Sequence, residues 1–588
     1  MKSLLYLKRY LVQYRIRLII GMICIFAGNW FALLIPEYTG RAVDHIKSGN
    51  PTMAGLRWYA FYIILMALLQ AIFFYGMRKN IYTAARDIEF DFRNELFRKF
   101  QSLHSGYYDE QKTGDLMARA TNDMEAVRML LGPGLLFLAF SCFIFPVAVF
   151  RMLNINIALT CYSVIPLIIM PFYVNRIGNK IHRKFTLVQE QYSVLTSMVQ
   201  ENLAGIRVVK AFVQERPQLD QFQELNREFK DRNMALARIR AGFFPGMRIL
   251  GGSGILILIW LGGRRVIQNQ VSLGDLTALI MIHLRLFWPM IAFGWIISLH
   301  QRGAASMKRL LSILEHPPTI RDDEKTDHSI ARISGDIRME NLSFRYPGEE
   351  EPDLQNISLR IPDGSTLGIV GPIGSGKSTL IRLLVRLYNP PPGKIFIDGR
   401  DILEIPLKTL RDHTGYVFQE PFIFSESIAE NVTMGPVNGN MEEVKKICRR
   451  VRLHEEIESF PHGYETMLGE RGVNLSGGQK QRLALARALF RDPDILILDD
   501  TLSAVDTETE SYILSVLRRE TKHRTSIIIS HRISSVMAAD EIIFLNRGVI
   551  QERGTHEQLV QAGGHYAAIF EKQKLEQEFD RNDDNQNS

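Results

Sequence analysis

Apolar residues are distributed unevenly along the chain, with long runs in the first half and short runs between polar loops in the second. A run of about 20 apolar residues is long enough to cross a bilayer as a helix. Such runs lie at residues 18–35, 56–75, 131–150, 157–174, 249–263 and 276–299. The fifth run needs an N-terminal extension and contains glycines, which membrane helices tolerate. The pattern predicts an all-α membrane domain of six spans followed by a soluble α/β domain.

Two intervals between the predicted spans are too long to be simple connections. Residues 79–129 and 175–247 are polar, carry helical periodicity and contain few glycines or prolines. We therefore expect each membrane helix to continue far beyond the bilayer, turn, and return as the next helix. Gly106 and Gly114 mark the turn in the first interval, and Gly205 marks it in the second.

Basic residues predict the orientation of the spans. The segment before the first span contains Lys2, Lys8, Arg9, Arg15 and Arg17. The interval after the second span is also rich in Lys and Arg, whereas the connection between the third and fourth spans has only Arg151. Because cytoplasmic loops are enriched in Lys and Arg, the N-terminus is predicted to be cytoplasmic. The same residues account for the net charge of +7, which therefore does not indicate a nucleic-acid partner.

The hydrophobic pattern divides the chain into four parts. A pair of prolines at 317–318 ends the last helix of the membrane half, and a polar stretch follows it. The last residues are acidic and polar with almost no apolar positions, which predicts disorder. The parts are a membrane domain at 1–315 with two cytoplasmic loops, a linker at 316–336, a soluble domain at 337–575 and a tail at 576–588.

The soluble part contains a phosphate-binding loop. Residues 371–379 read GPIGSGKST and match the pattern G-x-x-x-x-G-K-[ST]. Its glycines let backbone N–H groups approach phosphates without Cβ clashes. Lys377 supplies a positive charge to the β- and γ-phosphates, and the Ser378 hydroxyl suits Mg²⁺. The predicted ATP-binding residues of the loop are Gly371, Pro372, Ile373, Gly374, Ser375, Gly376, Lys377, Ser378 and Thr379.

A second group of motifs lies further along the chain. Residues 475–479 read LSGGQ and run directly into a helical pattern. The start of such a helix presents backbone N–H groups and a positive dipole end to an anion. Residues 495–498 form an apolar run typical of a buried parallel strand. That run ends at Asp499 and Asp500, whose carboxylates suit Mg²⁺ and an ordered water.

Together these motifs resemble the ATP-binding cassette (ABC) ATPases, and the six preceding spans resemble the exporter class of that family. The resemblance implies a P-loop ATPase domain of the ABC type, with ATP and Mg²⁺, coupled to transport. It implies that Tyr346 stacks on adenine, although a tyrosine packed on its own strand is the alternative. It further implies that Gln419 and Asp499 act on Mg²⁺ and that His531 holds the γ-phosphate.

The resemblance also implies contacts beyond the chain's own ATP site. The LSGGQ signature would cap the ATP held by a partner's phosphate loop, and Asp506 would lie where the two ATPase domains meet. Segments 113–115 and 201–206 resemble coupling segments that touch an ATPase domain, with ordinary helix–helix loops as the alternative. The signature residues are Leu475, Ser476, Gly477, Gly478 and Gln479.

Asp500 departs from the family pattern, although Asp500, His531 and Gln419 are together the candidate catalytic residues. The family carries a glutamate at this position, which is the general base for the attacking water. Aspartate is shorter by one carbon–carbon bond, about 1.5 Å, and a general base must come within about 2.6–3.2 Å of its proton. The site is therefore predicted to bind ATP and hydrolyse it slowly. Because the signature is complete, we expect a heterodimer whose partner supplies the glutamate.

The resemblance favours a subunit of a bacterial heterodimeric multidrug exporter in the plasma membrane. Its expected partners are a second half-transporter, membrane lipids and hydrophobic or amphipathic drug-like molecules. A homodimeric lipid or peptide exporter and an ATP-gated regulatory membrane subunit are alternatives, whereas six spans exclude a soluble DNA-repair ATPase. Ionisable groups in spans usually face an interior or water. The candidate cavity residues are His283, Arg285, which could instead pair with a partner carboxylate, Trp288 and Trp295.

Overall fold

The computed structural model describes residues 5–49, 51–435, 441–469, 472–501, 512–516 and 524–586. The chain divides into two compact units, each with its own core. The membrane unit comprises Met1–Gln101 and Lys112–His316, and the ATPase unit comprises Ser102–Gln111 and Pro317–Ser588. The segment Ser102–Gln111, which lies between the second and third long helices, thus belongs to the ATPase unit rather than to the membrane unit.

The membrane unit is entirely helical, and the prediction of six long apolar helices is confirmed. Helix α3 has 50 residues and is therefore about 75 Å long, whereas the hydrocarbon core of a bilayer measures about 30 Å. Helices of this length extend well beyond a membrane, as the long polar intervals predict. The helices are α1 Lys8–Gln13, α2 Arg15–Lys47, α3 Met53–Ser102, α5 Thr113–Ile155, α6 Ile157–Ala204, α7 Ile206–Ala211, α8 Glu215–Ile267 and α9 Leu273–Leu314; the short α4, Ser105–Glu110, belongs to the ATPase unit.

Helices α2 and α9 approach each other at a pair of glycines. A Cβ on Gly40 would lie 2.4 Å from the carbonyl oxygen of Gly274, so both positions require glycine. One turn further along α2, Asp44 accepts hydrogen bonds of 2.6 Å from the Ser272 hydroxyl and from the Gly274 N–H. The Asp44 carboxylate thereby satisfies a backbone donor at the start of α9, which has no partner within the helix itself.

The N-terminal segment, residues 9–17, is held against α3 by charged and phenolic side chains. The carboxylates on α3 recur every four residues, so they lie on one face of that helix. Asp87 pairs with Arg17, and Asp91 accepts a hydrogen bond of 2.8 Å from the Tyr14 hydroxyl. Glu95 pairs with Arg9. Part of the basic N-terminal segment is thus neutralised by the protein itself.

The ATPase unit is built on two sheets. A four-stranded antiparallel sheet has the order β2-β1-β4-β5, and a six-stranded, mostly parallel sheet has the order β10-β9-β3-β8-β7-β6. The strands are β1 Ile337–Phe344, β2 Leu354–Ile361, β3 Thr366–Val370, β4 Ile395–Ile397, β5 Arg400–Asp401, β6 Thr414–Val417, β7 Ile495–Asp499, β8 Thr525–Ile529, β9 Glu541–Asn546 and β10 Val549–Gly554. The predicted α/β ATPase fold is confirmed.

Helices cover the larger sheet and form a separate helical lobe that carries the signature. Every residue of β7 is buried, as expected for a central parallel strand. The helices of this unit whose bounds are described include, after α4, α10 Lys377–Leu384, α11 Leu407–Asp412, α12 Ile428–Thr433, α13 Met441–Arg450, α14 His454–Glu458, α15 Gly477–Phe490, α16 His556–Ala562 and α17 His565–Gln586.

The predicted linker is fixed along the surface of the ATPase unit. The Asp322 carboxylate accepts a hydrogen bond of 2.9 Å from the N–H of Leu407, at the start of α11. Asp327 pairs with Arg400 at 2.6 Å, and the Asp398 carboxylate accepts hydrogen bonds from three consecutive backbone N–H groups at 334–336. These acids satisfy backbone donors that a free linker would leave to water.

The C-terminal end also differs from its sequence prediction. Composition predicts disorder from Glu576, whereas helix α17 continues to Gln586. The segment from Glu576 contains no proline or glycine and includes Glu and Gln, which favour a helix. The last two residues, 587–588, lie outside the described part of the chain.

The connection between α5 and α6 offers a test of the predicted orientation. Asn154 is exposed at this connection, and Lys112 is exposed beside α4. A cysteine at Asn154 should react with a membrane-impermeant thiol reagent added to intact cells, whereas a cysteine at Lys112 should react only after permeabilisation. Both variants need a background without the four native cysteines. The reverse labelling pattern would contradict the predicted topology.

Candidate ATP site

Four motifs converge because four parallel strands end at the same edge of the large sheet. Strand β3 leads into the phosphate loop, β6 leads to Gln419, β7 ends at Asp499, and β8 leads to His531. The register aligns Val417 with Leu498, and Asp499 with Ile529. Ligands in open α/β sheets bind at the carboxyl ends of strands. The sequence-predicted residues therefore lie along one edge.

The phosphate loop requires its glycines for two different reasons. Gly374 and Gly376 have φ angles of +77° and +99°, in the left-handed region. A Cβ on Gly371 would lie 2.0 Å from the carbonyl oxygen of Leu545, so space excludes any other residue there. Helix α10 begins at Lys377, immediately after the loop. Its first N–H groups and the loop backbone are the donors that a phosphate requires.

Lys377 is nearly buried, with 7% of its surface exposed. Its Nζ donates hydrogen bonds of 2.8 and 2.7 Å to the carbonyl oxygens of Gly371 and Pro372. Burial lowers the pKa of Lys377 from its usual value, and the nearby carboxylates of Asp499 and Asp500 oppose that shift. A cation held inside the loop is available to neutralise the charge of a triphosphate.

Asp499 and Ser378 are brought together as the Mg²⁺ prediction requires. Burial raises the pKa of Asp499, and the nearby charge of Asp500 acts in the same direction. Hydrogen bonds from the Tyr416 and Ser378 side chains favour the ionised form and lower it. A hydroxyl and a carboxylate, completed by phosphate oxygens and waters, fit the ligands that Mg²⁺ takes in nucleotide sites.

Asp500 adopts an unusual backbone conformation. Its φ is +46°, which an aspartate tolerates better than most residues. Its N–H donates to the Ile529 carbonyl oxygen at 2.9 Å, and its Oδ1 accepts a 3.4 Å hydrogen bond from the N–H of His531. The side chain is 8% exposed. The short acid therefore contacts the backbone of the His531 loop.

The loop that carries His531 is bound by a residue of the last helix. Gln573 on α17 donates from Nε2 to the His531 carbonyl oxygen at 2.7 Å, and its Oε1 accepts from the Ile533 N–H at 2.9 Å. One amide group thus satisfies two backbone groups of the loop. Sequence reasoning missed Gln573, because nothing local marks one glutamine in a polar helix as a partner of that loop.

Tyr346 lies beside a cavity of about 540 Å³ next to the phosphate loop. Its hydroxyl lies 3.4 Å from Thr379 Oγ1, and its ring meets the Tyr388 ring edge-on with centroids 4.8 Å apart. Arg382 and Asp109 also line the cavity. Neither these two residues nor Tyr388 is predicted by sequence motifs. This volume falls in the range of small-molecule sites.

The signature begins helix α15 in the helical lobe. Ser476 is the N-cap residue: its Oγ accepts from the Gln479 N–H, and the Gln479 side chain accepts from the Ser476 N–H at 2.8 Å. Gln479 also donates to Glu456 at 2.8 Å. Gly477 and Gly478 follow the cap without side chains, so a ligand can approach the helix start at backbone distance. The predicted contact residue Asp506 lies outside the described residues.

The four candidate cavity residues on α9 do not share one environment. His283 is 1% exposed, and its Nε2 lies 3.3 Å from the Gly251 carbonyl oxygen, so it packs inside the helical bundle. Trp288 is 63% exposed, whereas Trp295 is less exposed and meets a neighbouring phenylalanine ring at 5.4 Å. Arg285 is half-buried. His283 thus differs from the other three, which retain accessible surface.

Two family descriptions match the chain. The description "ABC transporter transmembrane region" matches residues 18–290, and "ABC transporter" matches residues 354–503. Among solved structures, that of a bacterial Atm1-family ABC exporter with ATP bound aligns with a TM-score of 0.74 and 25% identity, covering 95% of this chain and 99% of the other.

Curated proteins match along nearly the whole chain. The probable multidrug resistance ABC transporter ATP-binding/permease protein YheI of Bacillus subtilis (strain 168) is 36% identical over 565 residues, which is 96% of each chain. The multidrug resistance-like ATP-binding protein MdlA of Escherichia coli (strain K12) is 35% identical, covering 97% of this chain and 95% of its own. The ATP-dependent lipid A-core flippase of Syntrophus aciditrophicus (strain SB) is 33% identical, over 96% and 94%.

The hydrogen bond from Tyr416 to Asp499 predicts a pH effect. Its length is 3.2 Å, and burial raises the pKa of Tyr416, so the phenol remains a donor at neutral pH. Tyr416→Phe removes a group that stabilises the Asp499 carboxylate and so raises the pKa of Asp499 further. Mg²⁺-dependent ATP binding to this chain should then be lost at a higher pH on the acid side, by about 0.5–1 pH unit.

The measurement is photo-labelling of the full-length chain by azido-ATP with Mg²⁺ across a range of pH. Tyr464→Phe is the matched control, because the Tyr464 hydroxyl bonds to His454 in the helical lobe at 2.9 Å, away from this edge. An unchanged acid limb in Tyr416→Phe, or an equal shift in the control, would contradict the assigned role.

Proposed function

The chain belongs to the ABC transporter family and couples ATP hydrolysis to transport across a membrane, and from this premise we propose that it is one subunit of a heterodimeric bacterial multidrug exporter. Among such exporters, we propose that this chain most resembles the BmrC subunit of the BmrC/BmrD pair. The N-terminus and the ATPase unit are cytoplasmic in this proposal, and the six long helices cross the plasma membrane.

The shortened acid at Asp500 carries the heterodimer proposal. A misplacement of about 1 Å in a catalytic group costs on the order of a hundredfold in rate. The hydrogen bond between Asp500 and the His531 N–H supports the same conclusion, because it holds the carboxylate on the protein backbone. The signature, in contrast, is complete. We infer that this chain binds ATP at a slow site and completes a competent site on a different subunit.

Exposed apolar residues in the membrane unit support a protein partner. The second predicted coupling segment, 201–206, carries Leu203 and Ile206, and Val208 and Phe212 follow it; all four have large exposed surfaces. Exposed apolar residues grouped in this way support an interaction surface. The ATPase unit has an apolar groove of about 310 Å³ that includes Phe418 and Phe422. In the proposed dimer, the loop of one subunit seats in the groove of the other.

Transport follows from closure of two ATP sites between two ATPase domains. Ser378, Gln419 and Asp499 would hold Mg²⁺, which would supply positive charge to neutralise the phosphate oxygens. Lys377 and the loop N–H groups hold the phosphates, Ser378, Gln419 and Asp499 orient the metal side, and the partner's signature closes the site. Closure brings the ATPase domains together and turns the cavity outward, and hydrolysis at the competent site resets it.

The proposed substrates are hydrophobic or amphipathic drug-like molecules. YheI and MdlA, which are named for multidrug resistance, are 36% and 35% identical to this chain. Accessible Trp288 and Arg285 on α9, with Trp295, suit amphipathic molecules because they combine aromatic surface with a charge. A homodimeric lipid exporter is the second candidate, since a lipid A-core flippase is 33% identical over most of the chain.

Co-purification and transport distinguish these candidates. A tagged chain should co-purify a second, different half-transporter, and the pair should accumulate amphipathic drugs in inverted vesicles when ATP is added. Recovery of two copies of this chain, active in lipid transport, would favour the second candidate. ATP binding without vectorial transport of either class would indicate a regulatory subunit.

Restoring the missing methylene group tests the slow site. In a transporter whose partner glutamate is replaced by glutamine, residual ATP hydrolysis should rise on the order of 10- to 100-fold with Asp500→Glu. The matched control is Asp500→Asn, which should leave that residual rate low. With the native partner, Asp500→Asn should lower turnover only mildly. Near-complete loss from Asp500→Asn alone would contradict the division of labour.

Ser476→Arg tests the signature in trans. A long cation there prevents close approach of Ser476, Gly477 and Gly478 to the partner's γ-phosphate, and with it the stabilisation of the transferring phosphoryl group. ATP turnover should collapse while azido-ATP labelling of this chain is retained. Normal turnover, or labelling lost from this chain alone, would refute the proposal.

Ser476→Arg also removes a helix cap, which costs about 1 kcal/mol of stability. Thr555→Arg is the matched control, since Thr555 caps α16 through the same reciprocal arrangement with Gln558. The control should keep normal turnover. Equal loss of turnover in both variants would indicate damage to folding rather than loss of a contact with nucleotide.

A further inference from the structure

The cavity beside Tyr346 is lined by two segments that continue directly into membrane helices. The first is Ser102–Gln111, which follows α3 and contains α4. The second follows α9 and contributes Thr319, whose carbonyl oxygen accepts a 3.0 Å hydrogen bond from Asn389. Both segments lie in the ATPase unit. Each of the two segments is thus continuous with a helix of the membrane unit and lines this cavity of the ATPase unit.

Helix α4 packs against Tyr388. Its hydroxyl donates a hydrogen bond of 2.6 Å to Asp109 Oδ2. A Cβ on Gly106 would lie 2.9 Å from a ring carbon of Tyr388, so the backbone of α4 packs directly against the ring. The same ring meets Tyr346 edge-on at 4.8 Å, closer than Phe344 at 6.3 Å. Asp109, Tyr388 and Tyr346 thus form one continuous line of contacts.

We propose that Asp109 is a positioning residue for the nucleotide base: through its hydrogen bond to Tyr388 it holds the ring against Tyr346, so that base binding is thermodynamically linked to the docked position of Ser102–Gln111. The proposal rests on the proposed function to the extent that Tyr346 stacks on the base.

The hydrogen bond between Tyr388 and Asp109 is of a strong type, which supports coupling between base binding and the position of α4. A hydrogen bond from a phenol to a carboxylate is charge-assisted and short. Burial and the Asp109 carboxylate raise the pKa of Tyr388, so its hydroxyl stays protonated and remains a donor. Coupling between two sites is reciprocal. If Asp109 favours base binding, then the bound base favours the docked state of α4, which is joined to α3 through only two residues.

Comparison of two ligands separates positioning of the base from general damage. ATP has a base and a triphosphate, whereas inorganic tripolyphosphate engages only the phosphate loop. In the assembled full-length transporter, Tyr388→Phe and Asp109→Ala should each weaken ATP binding to this chain about threefold to tenfold. The inhibition constant of tripolyphosphate, measured by displacement of azido-ATP and corrected for the affinity of that label in each variant, should equal the wild-type value.

Further variants identify the contact itself. The double variant should bind ATP no more weakly than either single one, because both remove the same hydrogen bond. Asp109→Asn retains an acceptor and should recover most of the affinity. Asp220→Ala, which changes an exposed acid on α8 in the membrane unit, is the matched control and should bind ATP normally.

The reciprocal effect is measured on the loop. In a cysteine-free background, a cysteine at Glu110 should react more slowly with maleimide when ATP is present, less so with tripolyphosphate, and Tyr388→Phe should abolish the difference. Unchanged ATP affinity in both single variants, or equal weakening for tripolyphosphate, would overturn the inference. Drug transport by the wild-type pair is measured separately. That result tests the exporter assignment, whereas the ATP and tripolyphosphate affinities test the role of Asp109.

Discussion

The parallel pairing of β3, β6, β7 and β8 is the constraint on which the ATP site depends. Each strand delivers one group to the same edge, and the fixed register between neighbours leaves these groups no independent freedom along the strand direction. A slip of one residue in β7 would send Asp499 to the opposite face of the sheet. Backbone pairing of β7 with β6 on one side and β8 on the other holds the register, together with close packing of its buried Ile and Leu side chains on both faces of the sheet. Strand pairing and hydrophobic burial thereby fix the position of the Asp499 carboxylate at this edge of the sheet.

Sequence alone predicts the parts of the structure that depend on local pattern. Six apolar runs give the membrane helices, and the phosphate loop, the LSGGQ turn and the strand ending at Asp499 are each written in consecutive residues. The cavity beside Tyr346 is different, because the contact between Asp109 and Tyr388 joins residues 279 positions apart. Neither residue lies in a pattern that marks it. Gln573 is hidden for the same reason, since it matters only once its helix has folded back onto the His531 loop.

The boundaries between parts were the least predictable feature. A polar stretch with two prolines is typical of a flexible linker, yet residues 316–336 are held to the ATPase unit by Asp322, Asp327 and Asp398. The acidic residues of this region therefore make hydrogen bonds and an ion pair within the folded unit, and do not indicate a flexible segment. Likewise, Ser102–Gln111 looks like part of a helical hairpin, but it belongs to the ATPase unit. Both segments are therefore part of the folded ATPase unit rather than free connections.

The pairing of Asp44 with the start of α9 has a bearing on how the protein is made. Its partners Ser272 and Gly274 follow 228 and 230 residues later, so a ribosome releases the first membrane helix long before the last one exists. During that interval the carboxylate has water or headgroups as its neighbours, and the glycine surface at Gly40 has no opposing backbone. The bundle can close only when the sixth helix has been inserted. Biogenesis of the membrane half is thus completed late, immediately before the ATPase half emerges.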